Sequence, residues 1–307
     1  MPVSASKVWM NGKLVDFADA KVHILSHAMH YGTSVFEGIR VYAVKGTPHV
    51  FRLREHSRRL VESARIYRME SPYTIEQLEQ AMHATVKANG FPACYLRPLI
   101  YRGFGEMGVN PLKSPVDVAI AAWEWGSYLG DGALEKGVDA QVSTWTRFGP
   151  NTLPALAKCA ANYMNSQLIK MEAIQNGFAE GIALTTEGYL CEASGANLFL
   201  VRDGVLYTPE IGDSILAGIT RDTVIALAGD AKIRVAEQRL PREWLYIADE
   251  VFFCGTASEI TPIRSVDRRP VGEGKPGPVT RELQRRFLGI LSGEQPDTRR
   301  WLSRCPA

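Results

Sequence analysis

The stretch NTLPALAKCAANYM, Asn151 to Met164, places one lysine, Lys158, among small apolar residues. Lysines on solvated faces usually keep charged company, as Lys170 does beside Glu172. A lone ammonium is costly to bury, and the usual relief is a lowered pKa or a partner. A neutral, accessible lysine amine is a nucleophile and a Schiff-base former. The same stretch also fits a lysine whose amine reaches solvent from a helix end. The rest of the chain has to choose between the two.

Four other segments carry polar residues in settings suited to a ligand. YLCEASGANLF puts Glu192 between a predicted strand and a tight Ser-Gly turn; it is either a solvated turn glutamate or a placed carboxylate. LAGITRDTV puts Gly218 and Thr220 at the start of a helix, where backbone N–H groups and the helix dipole favour an anion, unless Thr220 only caps the helix. FFCGTASEITP ends a strand in Gly255-Thr256-Ala257, a small-residue turn with exposed amides and a hydroxyl. REHSRRL offers Arg54, Arg58 and Arg59, a solvated basic face unless one arginine turns inward to hold a phosphate bidentately. A lysine amine, a carboxylate, an arginine and two anion-binding turns with threonines together make the set that pyridoxal phosphate requires. The lysine joins its aldehyde, the carboxylate keeps the ring nitrogen protonated, and the arginine and turns hold the phosphate.

These residues need elements to position them. KVWMNGKLV is a hairpin signal around Asn11-Gly12, and GIRVYAVKGTPHVFRL repeats it with a turn near Gly46 to Pro48. Helices are expected over about residues 55–69 and 74–89, the second opened by a Thr74/Gln77 capping box and ended by Gly90. CYLRPLIYR and DVAIAAWEW read as strands. WEWGSYLGDGALEKG has no clear period and reads as a linker. Beyond it VDAQVST, EGIALTT, NLFLV, KIRVA and DEVFFCG read as strands, and a long helix is expected from about Lys158 to Asn176. TRDTVIALAGD and VTRELQRRFLGILSG read as further helices, and the tail after Gly293 as peripheral. The expectation is a small α/β domain (1–123), a linker loop (124–137) and a large domain (138–307), of mixed α+β and α/β class.

The 307 residues, 46% hydrophobic and 22% charged, suit a globular protein of two domains. A formal charge of +2 gives no sign of a nucleic-acid or acidic-membrane partner. Five cysteines without a CxxC argue against a disulfide scaffold and a zinc site, so no metal is expected. No apolar run approaches the roughly 20 residues that cross a bilayer, and the first residues lack a signal-peptide core, so a cytoplasmic protein is expected. Gly103, Gly105 and Gly108 spell GxGxxG, but Asn110-Pro111 and Ser114-Pro115 follow, against the helix that a dinucleotide site needs.

SHAMHYGTSVFEGIRVY, YLRPLIY, GVNP, AAWEWGSYLG, AKCAANY, EGYLCEASGANLF, GITRD and DEVFFCGTASEITPI together resemble the branched-chain amino-acid aminotransferases. These are L-specific members of the fold-type IV, pyridoxal-phosphate-dependent class. The matches run in the family's order from about Lys7 to Gly293 and look most similar to the hexameric bacterial type. The resemblance implies a small N-terminal domain and a larger pseudo-barrel domain with the cofactor between them. It implies that Lys158 is the Schiff-base lysine and the proton shuttle, that Glu192 faces the ring nitrogen and Tyr163 the ring hydroxyl. Arg59, Leu216, Ile219, Thr220 and Thr256 are then also on the cofactor, mostly at its phosphate. Tyr95 and the amides of Thr256 and Ala257 meet the substrate α-carboxylate, and Gly38 is a further substrate-binding residue. Tyr31, Phe36, Met107, Val109, Trp125 and Tyr128 line the side-chain pocket, some from a neighbouring subunit, and Arg97 meets the distal carboxylate of glutamate.

The implied reaction moves an amino group between L-leucine, L-isoleucine or L-valine and 2-oxoglutarate, in a homo-oligomer of at least two and up to six copies. Ala193, Ala196 and Ala217 depart from residues frequent in the family, which touches turn geometry rather than the cofactor. The alternative within the same fold is a transaminase for D-amino acids or (R)-amines, or an aminodeoxychorismate lyase. A non-enzymatic assembly protein is the third reading, opposed by the intact Lys158, Glu192, Arg59 and Tyr163.

Overall fold

The computed structural model describes residues 3–126 and 129–306. Asn11 and Gly12, at φ 45° and 95°, supply the left-handed pair that a two-residue hairpin turn demands, and they join β1 (Lys7–Met10) to β2 (Lys13–Asp16). The short helix α1 (His27–Tyr31) leads to β3 (Ser34–Phe36), β4 (Ile39–Val44) and β5 (Thr47–Phe51). Two helices follow, α2 (Leu53–Ile66) and α3 (Ile75–Asn89); Thr74 and Gln77 cap the second reciprocally. β6 (Cys94–Arg102) and β7 (Val116–Trp123) complete the run. Every pairing is antiparallel, in the order β5-β4-β6-β7-β1-β2, with β3 added beside β6. Ile39, Leu60, Leu78, Met82, Leu96 and Ile120 are fully buried in its core.

The second sheet contains β8 (Val138–Val142), β9 (Glu180–Leu184), β10 (Leu190–Ala193), β11 (Asn197–Arg202), β12 (Val205–Thr208), β13 (Val235–Glu237), β14 (Glu250–Gly255), β15 (Glu259–Val266) and β16 (Arg269–Pro270). Its order is β10-β9-β8-β15-β14-β11-β12-β13, with β16 on β15. β8 runs parallel to both β9 and β15, and β12 parallel to β13. The connections carry α4 (Ala133–Lys136), α5 (Tyr163–Gln175), α6 (Ile219–Asp230) and α7 (Pro278–Ser292). Leu198, Leu200 and Phe253 sit in this core without exposure.

Two compact units result. One holds the residues up to Gly126, Ala157–Ala161 and those from Ile290 onward; the other holds the remainder.

Two sequence expectations fail here. The helix expected from Lys158 begins only at Tyr163, after a 3₁₀ turn over Ala160–Asn162. Alanines favour helix locally, but Cys159 forms a β-bridge with Val35, and that long-range pairing keeps Lys158 out of the helix. The tail after Gly293 is not peripheral. It ends in β17 (Leu302–Arg304), which pairs antiparallel with β5 and closes the edge of the first sheet.

Trp301, 7% exposed, packs edge-on to Phe51 with centroids 6.1 Å apart, and its carbonyl accepts from Arg52 N. Trp301→Ala should cost about 3–5 kcal/mol, the usual range for an aromatic deleted from a core. A urea midpoint equal to that of the parent protein would show that the tail strand adds nothing to stability.

Candidate active site

Strand geometry builds the first group. Tyr95 and Arg97, two residues apart on β6, project to one face, while Leu96 points into the core. Trp123 lies directly across from Tyr95 on β7, and Trp125 stacks on Tyr95 with centroids 4.5 Å apart. The Arg97 guanidinium sits over the rings of Phe36 at 4.6 Å, Tyr95 at 5.3 Å and Trp123 at 5.6 Å. Its buried Nε has no hydrogen-bond partner among the described residues. A Cβ at Gly38 would collide with the Tyr95 hydroxyl, so only glycine fits there. Lys158 enters the same group: its Nζ lies 5.2 Å from the centre of the Phe36 ring. Its backbone N–H donates to Ser63 Oγ at 3.0 Å, and its carbonyl accepts from Phe36 N at 3.0 Å.

Helix periodicity selects among the three arginines. His56, Arg59 and Ser63 recur at i, i+3 and i+7 on α2, and therefore share a face. Arg54 and Arg58 point outward and pair with Glu76 and Glu62. Arg59 is 12% exposed and is gripped by the fully buried Glu37, with Nε to Oε1 at 2.6 Å and Nη2 to Oε2 at 2.8 Å. His56 Nδ1 lies 2.7 Å from the same carboxylate. Burial alone would push the Glu37 carboxyl up, but the charges of Arg59 and His56, with their hydrogen bonds, hold it well below the usual carboxylate range. Burial lowers the pKa of His56, with Glu37 opposing. The sequence reading missed both Glu37 and His56.

The second group belongs to the other unit. Glu192 lies on β10 and forms a buried ion pair with Arg147 at 2.8 Å. Its Oε2 accepts from Asn197 Nδ2 at 3.2 Å and from Leu216 N at 3.0 Å. Leu216 thus meets the Glu192 carboxylate through its backbone. Ile219 and Thr220 occupy the first turn of α6, and Thr220 is not the cap: Gly218 is. A Cβ on Gly218 would strike Asn197 Oδ1, and among the described residues no side chain caps this helix, so its N-terminus suits an anion. Thr256 and Ala257 form the turn between β14 and β15, where the buried Ser258 hydroxyl has no hydrogen-bond partner among the described residues. Tyr163 opens α5. Arg147, which sequence reasoning also missed, carries the signal that flagged Lys158: a lone cation in STWTRFGP without a charged neighbour.

Tyr31, Met107 and Val109 lie on the surface of the first unit. His27 joins their segments: it stacks on Tyr31, and its Nε2 lies 2.8 Å from the Gly108 carbonyl. No helix follows the three glycines of that loop, in keeping with the expectation from its prolines. Tyr128 falls outside the described residues.

Residues 34–266 match the Amino-transferase class IV family. The branched-chain-amino-acid aminotransferase of Escherichia coli strain K12 is 52% identical over 299 residues, 97% of each chain. A crystal structure of the Escherichia coli enzyme superposes with a TM-score of 0.97 at 52% identity, covering 99% of this chain and 100% of that one. The branched-chain amino acid aminotransferase from Thermobaculum terrenum, solved in its PLP-form, gives a TM-score of 0.92 at 36% identity, covering 99% of each chain. The chain belongs to the class IV aminotransferases and, within them, to the branched-chain-amino-acid aminotransferases.

The cofactor of this class is pyridoxal 5′-phosphate, and the residues present fit it. In the first unit an inward-facing arginine suits a phosphate, and in the second so do a helix N-terminus without a side-chain cap and a turn whose buried hydroxyl has no partner among the described residues. A buried carboxylate balanced by an arginine suits a ring nitrogen.

The two shifts on the first unit act in one direction. His56 has a folded pKa below its ordinary 6.5, so below that pH the unfolded chain takes up a proton that the folded chain refuses, and stability falls. Glu37 adds to the loss lower down, since its contribution is present above its ordinary 4.5 and fades as the pH drops from there. The melting temperature should therefore decline between about pH 6.5 and 5, and His56→Gln should flatten that limb. Parallel curves for variant and parent would remove His56 from this account.

Proposed function

We propose that the two groups of residues carry out reversible transamination of L-leucine, L-isoleucine and L-valine with 2-oxoglutarate, giving the branched-chain 2-oxo acids and L-glutamate. The observation that carries the reading is the Arg97 cluster. A guanidinium laid over three aromatic rings, with the Lys158 ammonium over one of them, offers both an apolar wall and an anion partner. Burying an aliphatic side chain against such walls is worth roughly 1.5–3 kcal/mol. Arg97, with the hydroxyls of Tyr31 and Tyr128, meets the distal carboxylate of glutamate in the other half-reaction.

When bound, pyridoxal phosphate supplies a carbonyl that joins the amino group and a ring that takes up electrons released at the substrate Cα. The Lys158 amine moves the Cα proton. Glu192, held by Arg147, Asn197 and Leu216, faces the ring nitrogen and holds a proton there. Tyr163 meets the ring hydroxyl. Arg59 and the backbone or hydroxyls of Ile219, Thr220 and Thr256 hold the phosphate. Tyr95 and the amides of Thr256 and Ala257 orient the α-carboxylate, while Gly38 leaves room for the Tyr95 hydroxyl. Phe36, Trp125, Met107 and Val109 wall the side chain. The relatives do not favour the D-amino-acid, (R)-amine or aminodeoxychorismate alternatives, because the similarity to branched-chain enzymes spans 97% of the chain.

The division into residues 1–123, 124–137 and 138–307 is part of this proposal. Sheet membership supports it, since β1 to β7 precede residue 124 and β8 to β16 follow residue 137, but β17, the other residues from Ile290 onward and Ala157–Ala161 belong with the first unit. A homo-oligomer of at least two copies is also proposed, with six as the upper form. Ile24, Leu25, Met29, Phe104, Leu112 and Val109, the last 86% exposed, are more apolar surface than a solitary chain needs to show. No helix among the described residues is long and apolar enough to cross a membrane. The proposed location is the cytoplasm, in line with five cysteines that are all free thiols.

Lys158→Ala should abolish both the yellow colour of the lysine-bound cofactor and multiple-turnover transamination. A yellow, active variant would refute the assignment. Arg97→Ala should slow the glutamate half-reaction more than the leucine half-reaction in single-turnover absorbance traces, and equal losses would remove its proposed role.

A further inference from the structure

We infer that Glu37, steadied by His56, is the positioning residue that sets Arg59 for the cofactor phosphate. The inference rests on the reading above that Arg59 is the phosphate arginine. Glu37 has no solvent exposure, and neither of its neighbours in sequence, Phe36 and Gly38, supplies a charge. An isolated buried carboxylate is untenable, and even a buried ion pair is often no better for stability than apolar residues of the same volume. Stability alone therefore gives no reason to keep this one. Its geometry does. Arg59 binds side-on, Nε to one carboxylate oxygen and Nη2 to the other, which fixes the plane of the guanidinium as well as its place. The planar group then presents its Nη1 edge away from Glu37. His56, one turn earlier on α2 and 1% exposed, holds Oε2 through Nδ1, so the carboxylate cannot rotate away.

The backbone ties this pair to the reacting amine. Glu37 N donates to the Pro98 carbonyl at 3.0 Å, and the adjacent Phe36 N donates to the Lys158 carbonyl at 3.0 Å. Glu37 thus directly follows the strand that positions the lysine and holds, through its side chain, the arginine meant for the phosphate. A flexible arginine loses rotamer freedom whenever it binds an anion, and one already locked does not lose it again. Glu37 also cancels part of the positive charge that would attract a phosphate. The two effects oppose each other, so removing the carboxylate decides between them.

The readout is the discrimination for the phosphate group, not turnover. The holoenzyme is converted to its pyridoxamine form with L-glutamate. Dissociation constants are then measured for pyridoxamine 5′-phosphate by equilibrium dialysis and for phosphate-free pyridoxamine by competition. Glu37→Gln should lower the ratio of the two affinities by roughly tenfold to a hundredfold, the range typical of outer partners that orient a ligating group. A merely structural defect would weaken both compounds together and leave the ratio intact. An unchanged or increased ratio in a folded Glu37→Gln protein overturns the inference. Should that variant not fold, Glu37→Asp keeps the charge and shortens the reach, and a preserved ratio there overturns it equally. Arg59→Ala separates the two readings: if it leaves the ratio unchanged, the assignment of Arg59 to the phosphate fails first. If Arg59→Ala collapses the ratio and Glu37→Gln does not, the inference about Glu37 alone is lost.

Discussion

A carboxylate taken out of water has to be neutralised, either by a proton or by a partner. Glu37 and Glu192 are both buried, and each meets an arginine side chain at 2.8 Å or closer, Arg59 in one unit and Arg147 in the other. Neither pair is accounted for by folding stability, since buried ion pairs tend to break even at best against apolar residues. What each pair does supply is a charged group with a fixed direction. Arg59 is presented as a rigid fork, and Glu192 as a carboxylate whose oxygens are held by a guanidinium, a side-chain amide and a backbone N–H. Cofactor chemistry depends on such preset charges, because groups that need not reorganise during the reaction stabilise it most.

The amine is fixed in a different way. Lys158 is held by its backbone, between the Ser63 hydroxyl and the strand that contains Phe36, while its side chain lies over an aromatic ring. A helix would have used those backbone groups internally. Outside a helix they are free to pair with Ser63 and with Phe36 at the end of β3, which places the lysine beside the segment that runs on into Glu37 and Gly38. The local departure from helix is therefore what fixes the lysine relative to Phe36 and Glu37.

Features set by near neighbours were legible in the sequence. Asn11-Gly12 demanded a hairpin, Thr74 with Gln77 demanded a helix start, and the prolines after Gly108 argued against a dinucleotide helix. Features set by distant pairing were not. The bridge from Cys159 to Val35 and the strand at Leu302–Arg304 depend on partners more than a hundred residues away, beyond the reach of propensity or periodicity. The site residues divide the same way. Lys158 and Glu192 stood out by composition, and Arg59 came from the resemblance, though the spacing of His56, Arg59 and Ser63 on one helix face would have picked it. Glu37 reads in FEGIR as an ordinary polar position, and only the tertiary structure shows what it holds.

On the proposed reading, one pocket has to accept an aliphatic side chain and a carboxylate in alternate half-reactions. A lysine or an exposed arginine would solve the second task and spoil the first, by leaving a strongly hydrated charge in the apolar wall. Arg97 avoids this through the rings around it. A guanidinium is weakly hydrated and stacks on aromatic faces, so Phe36, Tyr95 and Trp123 compensate its charge when no anion is present. The compensation is incomplete, since its buried Nε still lacks an acceptor among the described residues. An incoming carboxylate can make the stronger, charge-assisted bond, whereas an aliphatic chain finds the same rings as its wall. Dual specificity then follows from a cation whose alternative partner is aromatic, with no need for the pocket to rebuild itself between substrates.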